Sequence, residues 1–255
     1  MKKIHAKQAL GRACLRSAEP QPKLWKKLPG LLLLSLFTFP LSAQTFEATD
    51  SLRHEVLIET TRGNLRVALF NDTPIHRDNF LKRVEDGFYT GLLFHRVIPE
   101  FVIQAGDSLS RFAEPGQPLG DTPEAFTLPA EILYPTHLHL SGALGMARED
   151  DEVNPERASS SCQFYIVTGR RYTEDQLDKV QERLDEYTGG LAQLTDQRRE
   201  LYRTVGGAPH LDGQYTVFGE LVEGFETLDE IQFNERDELD RPLEDIRIIK
   251  ATVVK

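Results

Sequence analysis

Between residues 56 and 254 the chain falls into brief β-rich runs, each closed by a Gly, Pro, Asn or Asp turn signal, and this recurrence restricts the possible folds severely. Residues 56–59 and 65–70 flank the turn signal Thr61-Arg62-Gly63-Asn64 and predict a hairpin. Further runs lie at 92–98, 138–146, 163–168, 215–221 and 246–254. Asp72-Thr73-Pro74 predicts a helix start, with Phe80, Leu81 and Val84 on one side and Gly87 as the stop. Residues 107–127, rich in Gly, Pro and Ser, predict an irregular loop. Many short strands with few helices predict a mainly β fold, a closed antiparallel barrel capped by helices.

The texture changes between Gly169 and Gly207. Thr173-Glu174-Asp175-Gln176 reads as a capping box, and Leu177, Val180, Leu184 and Tyr187 recur at helical spacing before Gly189-Gly190. Leu191, Leu194, Leu201 and Val205 mark a second stripe. An α-hairpin inserted at about 171–207 is therefore expected. It is read as a decoration lying on the barrel, with a partner-docking arm as the alternative.

Charge is unevenly placed along the 255 residues. The first 43 hold eight basic residues and one acid, and they run into an apolar stretch at 28–41 followed by Ser42-Ala43-Gln44. That order predicts a signal peptide over 1–43, cleaved after Ala43, with export to a periplasm. An uncleaved inner-membrane anchor is the weaker reading, because Pro29, Gly30 and Pro40 interrupt a run shorter than the ~20 residues a span needs. Residues 44–54 read as a flexible leader, and 55–255 as one domain. The chain beyond residue 43 has 22 basic and 39 acidic residues, a net charge of −17, which disfavours nucleic acid and membrane surfaces as partners. Cys162 is the one cysteine left after cleavage, so no internal disulfide is available; a monomer is favoured.

Four patches belong together: FHRVIP at 94–99 with FVIQAGD at 101–107, GALGMAR at 142–148, SCQFYI at 161–166, and LDGQYTVFG at 211–219. Their order and texture resemble cyclophilin-type peptidyl-prolyl cis-trans isomerases, from about Val56 to about Val254 with the helical insertion as a break. The resemblance implies a cyclophilin-like barrel acting on proline-containing unfolded or extended polypeptides, without metal or other cofactor. It places Arg96 in the catalytic position; Gln104 alternates with Val102 along the strand, so it can share the face of Arg96 and orient either that Arg or a substrate carbonyl. Phe101, Val102, Tyr165 and Leu211 would line the proline slot. Ala147, Arg148 and Gln163 match positions that hold substrate backbone, and His210 and Tyr215 match the rim. Val102, Tyr165, His210 and Tyr215 stand where the best-known eukaryotic members carry Met, Phe, Trp and His, which predicts a more polar slot. Arg148, in place of a smaller Asn, is expected to narrow or charge the groove.

The chemistry explains these residue types. Rotation about an X-Pro bond faces a barrier of ~18–20 kcal/mol set by amide resonance, but makes no covalent bond and moves no proton. In the twisted state the prolyl nitrogen regains its lone pair and accepts a hydrogen bond that the planar amide does not. A permanently charged guanidinium aimed at that nitrogen binds the transition state selectively. A proline-binding chaperone or scaffold with little isomerase activity is the alternative function. His137 and His139 share a strand face at a spacing that could grip zinc, but no third ligand is evident. Cys162 lacks a basic neighbour and reads as an inert thiol.

Overall fold

The computed structural model describes residues 53–255; the signal-peptide reading of 1–43 and most of the leader lie outside the described residues. In chain order the elements are β1 (Glu55–Thr60), β2 (Gly63–Leu69), α1 (Pro74–Glu85), β3 (Phe94–Ile98), β4 (Val102–Ala105), β5 (Thr127–Leu128), β6 (Ala143–Met146), β7 (Ser159–Ser160), β8 (Phe164–Val167), α2 (Glu174–Thr188), α3 (Asp196–Thr204), β9 (Val217–Glu223), α4 (Phe225–Gln232) and β10 (Ile248–Val253). Eight strands form one antiparallel sheet in the order β10-β1-β2-β9-β6-β8-β4-β3, and β5 pairs with β7 separately. The sheet curls until its edges meet. Leu93 and Arg247 form an antiparallel bridge, and Phe94 N–H donates to Ile246 O at 2.9 Å while Ile248 N–H donates to Leu92 O at 2.8 Å. The expected closed barrel is thus not fully closed: a single bridge and its flanking bonds, not a ladder, join the two edges.

Alternation along the strands divides side chains between two apolar clusters. Phe94, Val97, Ile103, Ala105, Leu144, Met146, Phe164, Ile166 and Phe218 enter the main core with Phe80 and Val84 of α1 and Leu228 and Ile231 of α4. Phe80 sits among the rings of Tyr89, Phe164 and Phe218, with centroids 5.2–5.4 Å away. On the opposite face Val102, Ala143, Tyr165, Val167, Leu211 and Val217 form a smaller cluster, with Phe101, Ala147 and Tyr215 packed against it.

Several local expectations change. Thr73 makes no cap hydrogen bond; instead the Glu131 carboxylate accepts from Ile75 N–H at 3.1 Å and His76 N–H at 2.9 Å, so a distant acid caps α1. Of the run 138–146 only β6 is strand. Leu138 and Leu140 are drawn into the helical cluster, and the His139 backbone bonds to Asp212 and Ala208 rather than to a neighbouring strand. The Asp107 carboxylate ties the irregular loop together, accepting from Leu109 N–H, Gly120 N–H and the Thr122 hydroxyl.

The insertion folds as two helices. Thr173 and Gln176 form the capping box, and Gly189 ends α2 in the left-handed region at φ 60°. Leu177, Val180 and Leu184 are buried as expected, whereas Tyr187 is exposed. The second stripe is not continuous: Leu191 and Val205 are exposed, Leu194 is buried before α3 begins, and Tyr202 is the buried residue of α3. The stem closes where Arg170 N–H donates to Gly207 O (3.2 Å) and Gly207 N–H to Arg170 O (3.0 Å). Gly207 is required there, because a Cβ would stand 2.2 Å from the His139 carbonyl oxygen. At the other end of the described chain, Arg53 pairs with Glu220 at 2.6 Å and His54 O accepts from Leu69 N–H, so the last two leader residues are held.

Candidate active site

A register defect aims the key cation. In the β3–β4 pairing Phe94 opposes Ala105 and Arg96 opposes Gln104, so His95 is an extra residue on β3. Strict alternation would put Phe94 and Val97 on opposite faces. The bulge returns both to the main core and leaves Arg96 on the outer face beside Gln104. It also buries His95; desolvation pushes its pKa down to about 4 and keeps the ring neutral beside Arg96.

The polar row on this face runs in one direction. Arg96 Nη1 donates to Gln104 Oε1 at 3.2 Å, Gln104 Nε2 donates to Gln163 Oε1 at 3.0 Å, and Gln163 Nε2 donates to Gly120 O at 2.8 Å. Each amide uses its oxygen toward Arg96 and its nitrogen away from it, so the row presents the guanidinium with its remaining N–H groups unengaged by Gln104. Arg96 and Gln104 are half-buried. Gln163 is buried with both ends of its amide in use, which makes it a support for Gln104.

Next to this row lies the apolar surface. Val102, Tyr165 and Leu211 are buried in one cluster, with Phe101, Ala147 and Tyr215 half-buried against it and His210 half-buried beside Phe101. Phe101 and His210 rings lie 5.1 Å apart, and Tyr215 stands edge-on to Tyr165 at 6.2 Å. Burial, and then neighbouring His139, Arg183 and Arg170 against the opposing pull of Asp212, push the His210 pKa down to about 4, so this imidazole is uncharged near neutral pH. Arg96, Gln104, Phe101, Val102, Ala147, Tyr165, His210, Leu211 and Tyr215 are therefore assembled on one outer face of the barrel.

Arg148 behaves differently from the expectation that it charges the groove. Its Nε donates to Gln214 O at 2.9 Å, Nη1 donates to Glu149 O, Nη2 pairs with Asp151 at 2.6 Å, and its carbon lies 4.5 Å from the Tyr215 ring centroid. With 3% of the side chain exposed, the cation braces Tyr215 from behind. The two histidines of 137–139 part company: His137 stacks on Phe70 and pairs with Asp72, while His139 turns into the protein toward Asp212 and Tyr165. Among the described residues no group of three or more His, Cys, Asp or Glu could hold a metal. Desolvation, and then the Glu124 carboxylate, push the Cys162 thiol up to about 12, so it stays protonated. Sequence reasoning missed the bulge and the partners of the Tyr165 hydroxyl; the second had a signal, since a phenol in an apolar slot must find an acceptor.

The model of the family described as cyclophilin type peptidyl-prolyl cis-trans isomerase/CLD matches residues 55–253. A relative from Staphylococcus epidermidis, named "Putative peptidyl-prolyl cis-trans isomerase", is 33% identical over 196 residues, covering 76% of this chain and 88% of that protein. One of the same name from Staphylococcus saprophyticus is 30% identical over 206 residues, 79% and 92% of the two chains. A crystal structure of a Cryptosporidium parvum cyclophilin type peptidyl-prolyl cis-trans isomerase superposes with a TM-score of 0.57 at 24% identity, covering 80% of this chain and 98% of that one. The same protein crystallised in the presence of the dipeptide Ala-Pro gives 0.56 at 25% identity, covering 79% and 99%.

Proposed function

This chain belongs to the cyclophilin-type peptidyl-prolyl cis-trans isomerases, and we propose that it turns X-Pro bonds in extended polypeptides with Arg96 as the hydrogen-bond donor to the prolyl nitrogen. The observation that carries this reading is the polar row Arg96–Gln104–Gln163 running beside the floor of Val102, Tyr165 and Leu211. A prolyl ring seated on that floor brings its nitrogen to the guanidinium. The charge is held in place before the amide twists, so little reorganisation accompanies the reaction. Rim residues Phe101, His210 and Tyr215 contact the ring and its neighbours, and the backbone near Ala147 and Arg148 lies alongside the peptide.

Turnover of a prolyl tetrapeptide by residues 44–255, followed across pH, tests the reading. Because no proton is transferred and burial holds His210 neutral, kcat/KM should stay constant within about twofold between pH 6 and 8. Below that range the fold itself weakens. His95 and His210 bind protons more readily unfolded than folded, so stability falls as pH drops from about 6.5 toward about 4. Absence of acceleration, or a step in kcat/KM centred near pH 6.5, contradicts the proposal.

The basic head, apolar run and Ser42-Ala43 site support the further reading that the enzyme is exported to a periplasm and assists the folding of exported proteins. Uncatalysed X-Pro isomerisation takes tens to hundreds of seconds, slow enough to limit folding there. N-terminal sequencing of the protein recovered from its native host should begin at Gln44; a chain that keeps residues 28–41 contradicts export with cleavage.

A further inference from the structure

The floor of the slot ends in a hydroxyl, and that hydroxyl begins a buried chain of hydrogen bonds that leads into the helical insertion. Tyr165 Oη lies 2.9 Å from His139 Nε2. His139 Nδ1 lies 3.0 Å from Asp212 Oδ1, which also accepts from His139 N–H at 2.9 Å. Tyr202 Oη, on α3, donates to Asp212 Oδ2 at 2.6 Å. Tyr165, His139, Asp212 and Tyr202 are 4%, 1%, 0% and 0% exposed, so water cannot replace a lost partner.

The direction of the bonds follows from the donor inventory. An ionised Asp212 only accepts, so His139 Nδ1 carries a proton and donates to it; in the singly protonated ring this leaves Nε2 as the acceptor for the Tyr165 O–H. Asp212 thereby fixes the tautomer that Tyr165 needs, and Tyr202 completes the carboxylate. The far side of the Tyr165 ring is equally confined. A Cβ at Gly145 would stand 2.3 Å from Cζ and 2.4 Å from Oη, so the absence of a side chain there makes room for the phenol. The insertion is fastened close by, with Ala208 N–H donating to His139 O at 2.7 Å.

We propose that His139, Asp212 and Tyr202 are positioning residues that hold the Tyr165 ring as a fixed floor, so that the helical insertion governs the rate of bond rotation in the slot. This rests on the reading of Val102, Tyr165 and Leu211 as that floor. A prolyl ring is presented to Arg96 at a depth set by Tyr165, and small displacements of a reacting group cost rate more than affinity. The insertion is then part of the isomerase, coupled to it through Tyr202, and not only a decoration on its surface.

A double-substitution cycle tests it on the complete domain, with NMR exchange giving kcat and KM separately and thermal melts run alongside. Tyr165→Phe and Tyr202→Phe should each lower kcat about fivefold, the size of one buried hydrogen bond, with KM changed by less than about twofold. The doubly substituted protein should be no slower than either single one, because both changes cut the same chain. His139→Asn, which keeps a donor for Asp212 and removes the acceptor for Tyr165, should give the same loss and stands in if Tyr202→Phe does not fold. A Tyr202→Phe or His139→Asn protein that melts earlier but keeps the parent kcat overturns the proposal, as do losses that multiply in the double. Arg96→Ala in the same assay tests the slot independently: if it turns over normally the reading of the slot has failed, whatever the cycle shows.

Discussion

Replacing Arg96 with Ala should lower kcat/KM for a prolyl tetrapeptide by about 10²–10³-fold, the range found when one preorganised donor is removed from a developing charge. The fold should be retained. Arg96 is half-buried on the outer face, its side chain donates one hydrogen bond, to Gln104, and it is not part of the main core. After the substitution Gln104 keeps its bond to Gln163, so the polar row remains but ends in an amide instead of a cation. Arg96→Lys should recover only part of the loss, since an ammonium on a flexible stem supplies charge without the rigid fork that Gln104 orients. Turnover of Arg96→Ala within about threefold of the parent would remove the guanidinium from the mechanism.

Phe164→Ala, one residue away from the slot's floor, should have the opposite signature. Its ring meets Phe80, Tyr89 and Phe94 at centroid distances of 5.3, 5.3 and 6.4 Å, all edge-on, and it is fully buried. Truncating such a side chain costs about 3–5 kcal/mol through lost transfer energy and the cavity left behind. For a domain of this size that corresponds to a melting temperature lower by about 6–20 °C. Below its melting transition the variant should turn over peptide at nearly the parent rate, because Tyr165 and Arg96 lie on the other face. Successive residues of β8 thus separate stability from turnover. A melting temperature unchanged in Phe164→Ala would contradict the packing described for the barrel interior.

Much of this division is legible in the amino-acid order. In the runs at 163–168 and 101–107 the two-residue repeat of an extended strand puts Phe164 and Tyr165, or Ile103 and Gln104, on opposite faces, but consecutive apolar residues at Val102-Ile103 and Ile166-Val167 leave open which face is the main core. Leu177, Val180 and Leu184 mark a helical face for the same reason. What alternation cannot show is a defect in register. His95 and Arg96 look like ordinary strand residues, and the bulge that turns Arg96 outward exists because Phe94 and Val97 both gain by entering the core. The fate of Leu138–His139–Leu140 was equally hidden, since its leucines follow the insertion and its imidazole follows Asp212, a residue 73 positions on. Helical spacing was carried too far across 191–205, where Leu191 and Leu194 precede the helix and Tyr202 supplies its buried contact.

The measurement that bears most directly on the mechanism is NMR exchange of a proline peptide at saturating concentration, with the parent and Arg96→Ala compared for binding and for rotation separately. Selective stabilisation of the twisted amide requires the two to come apart. Arg96→Ala should bind the peptide with a Kd within about threefold of the parent, since the floor of Val102, Tyr165 and Leu211 is intact, while cis-trans exchange of the bound peptide falls toward the spontaneous rate. Exchange that remains fast in the variant, or a loss fully explained by weaker binding, would contradict the account.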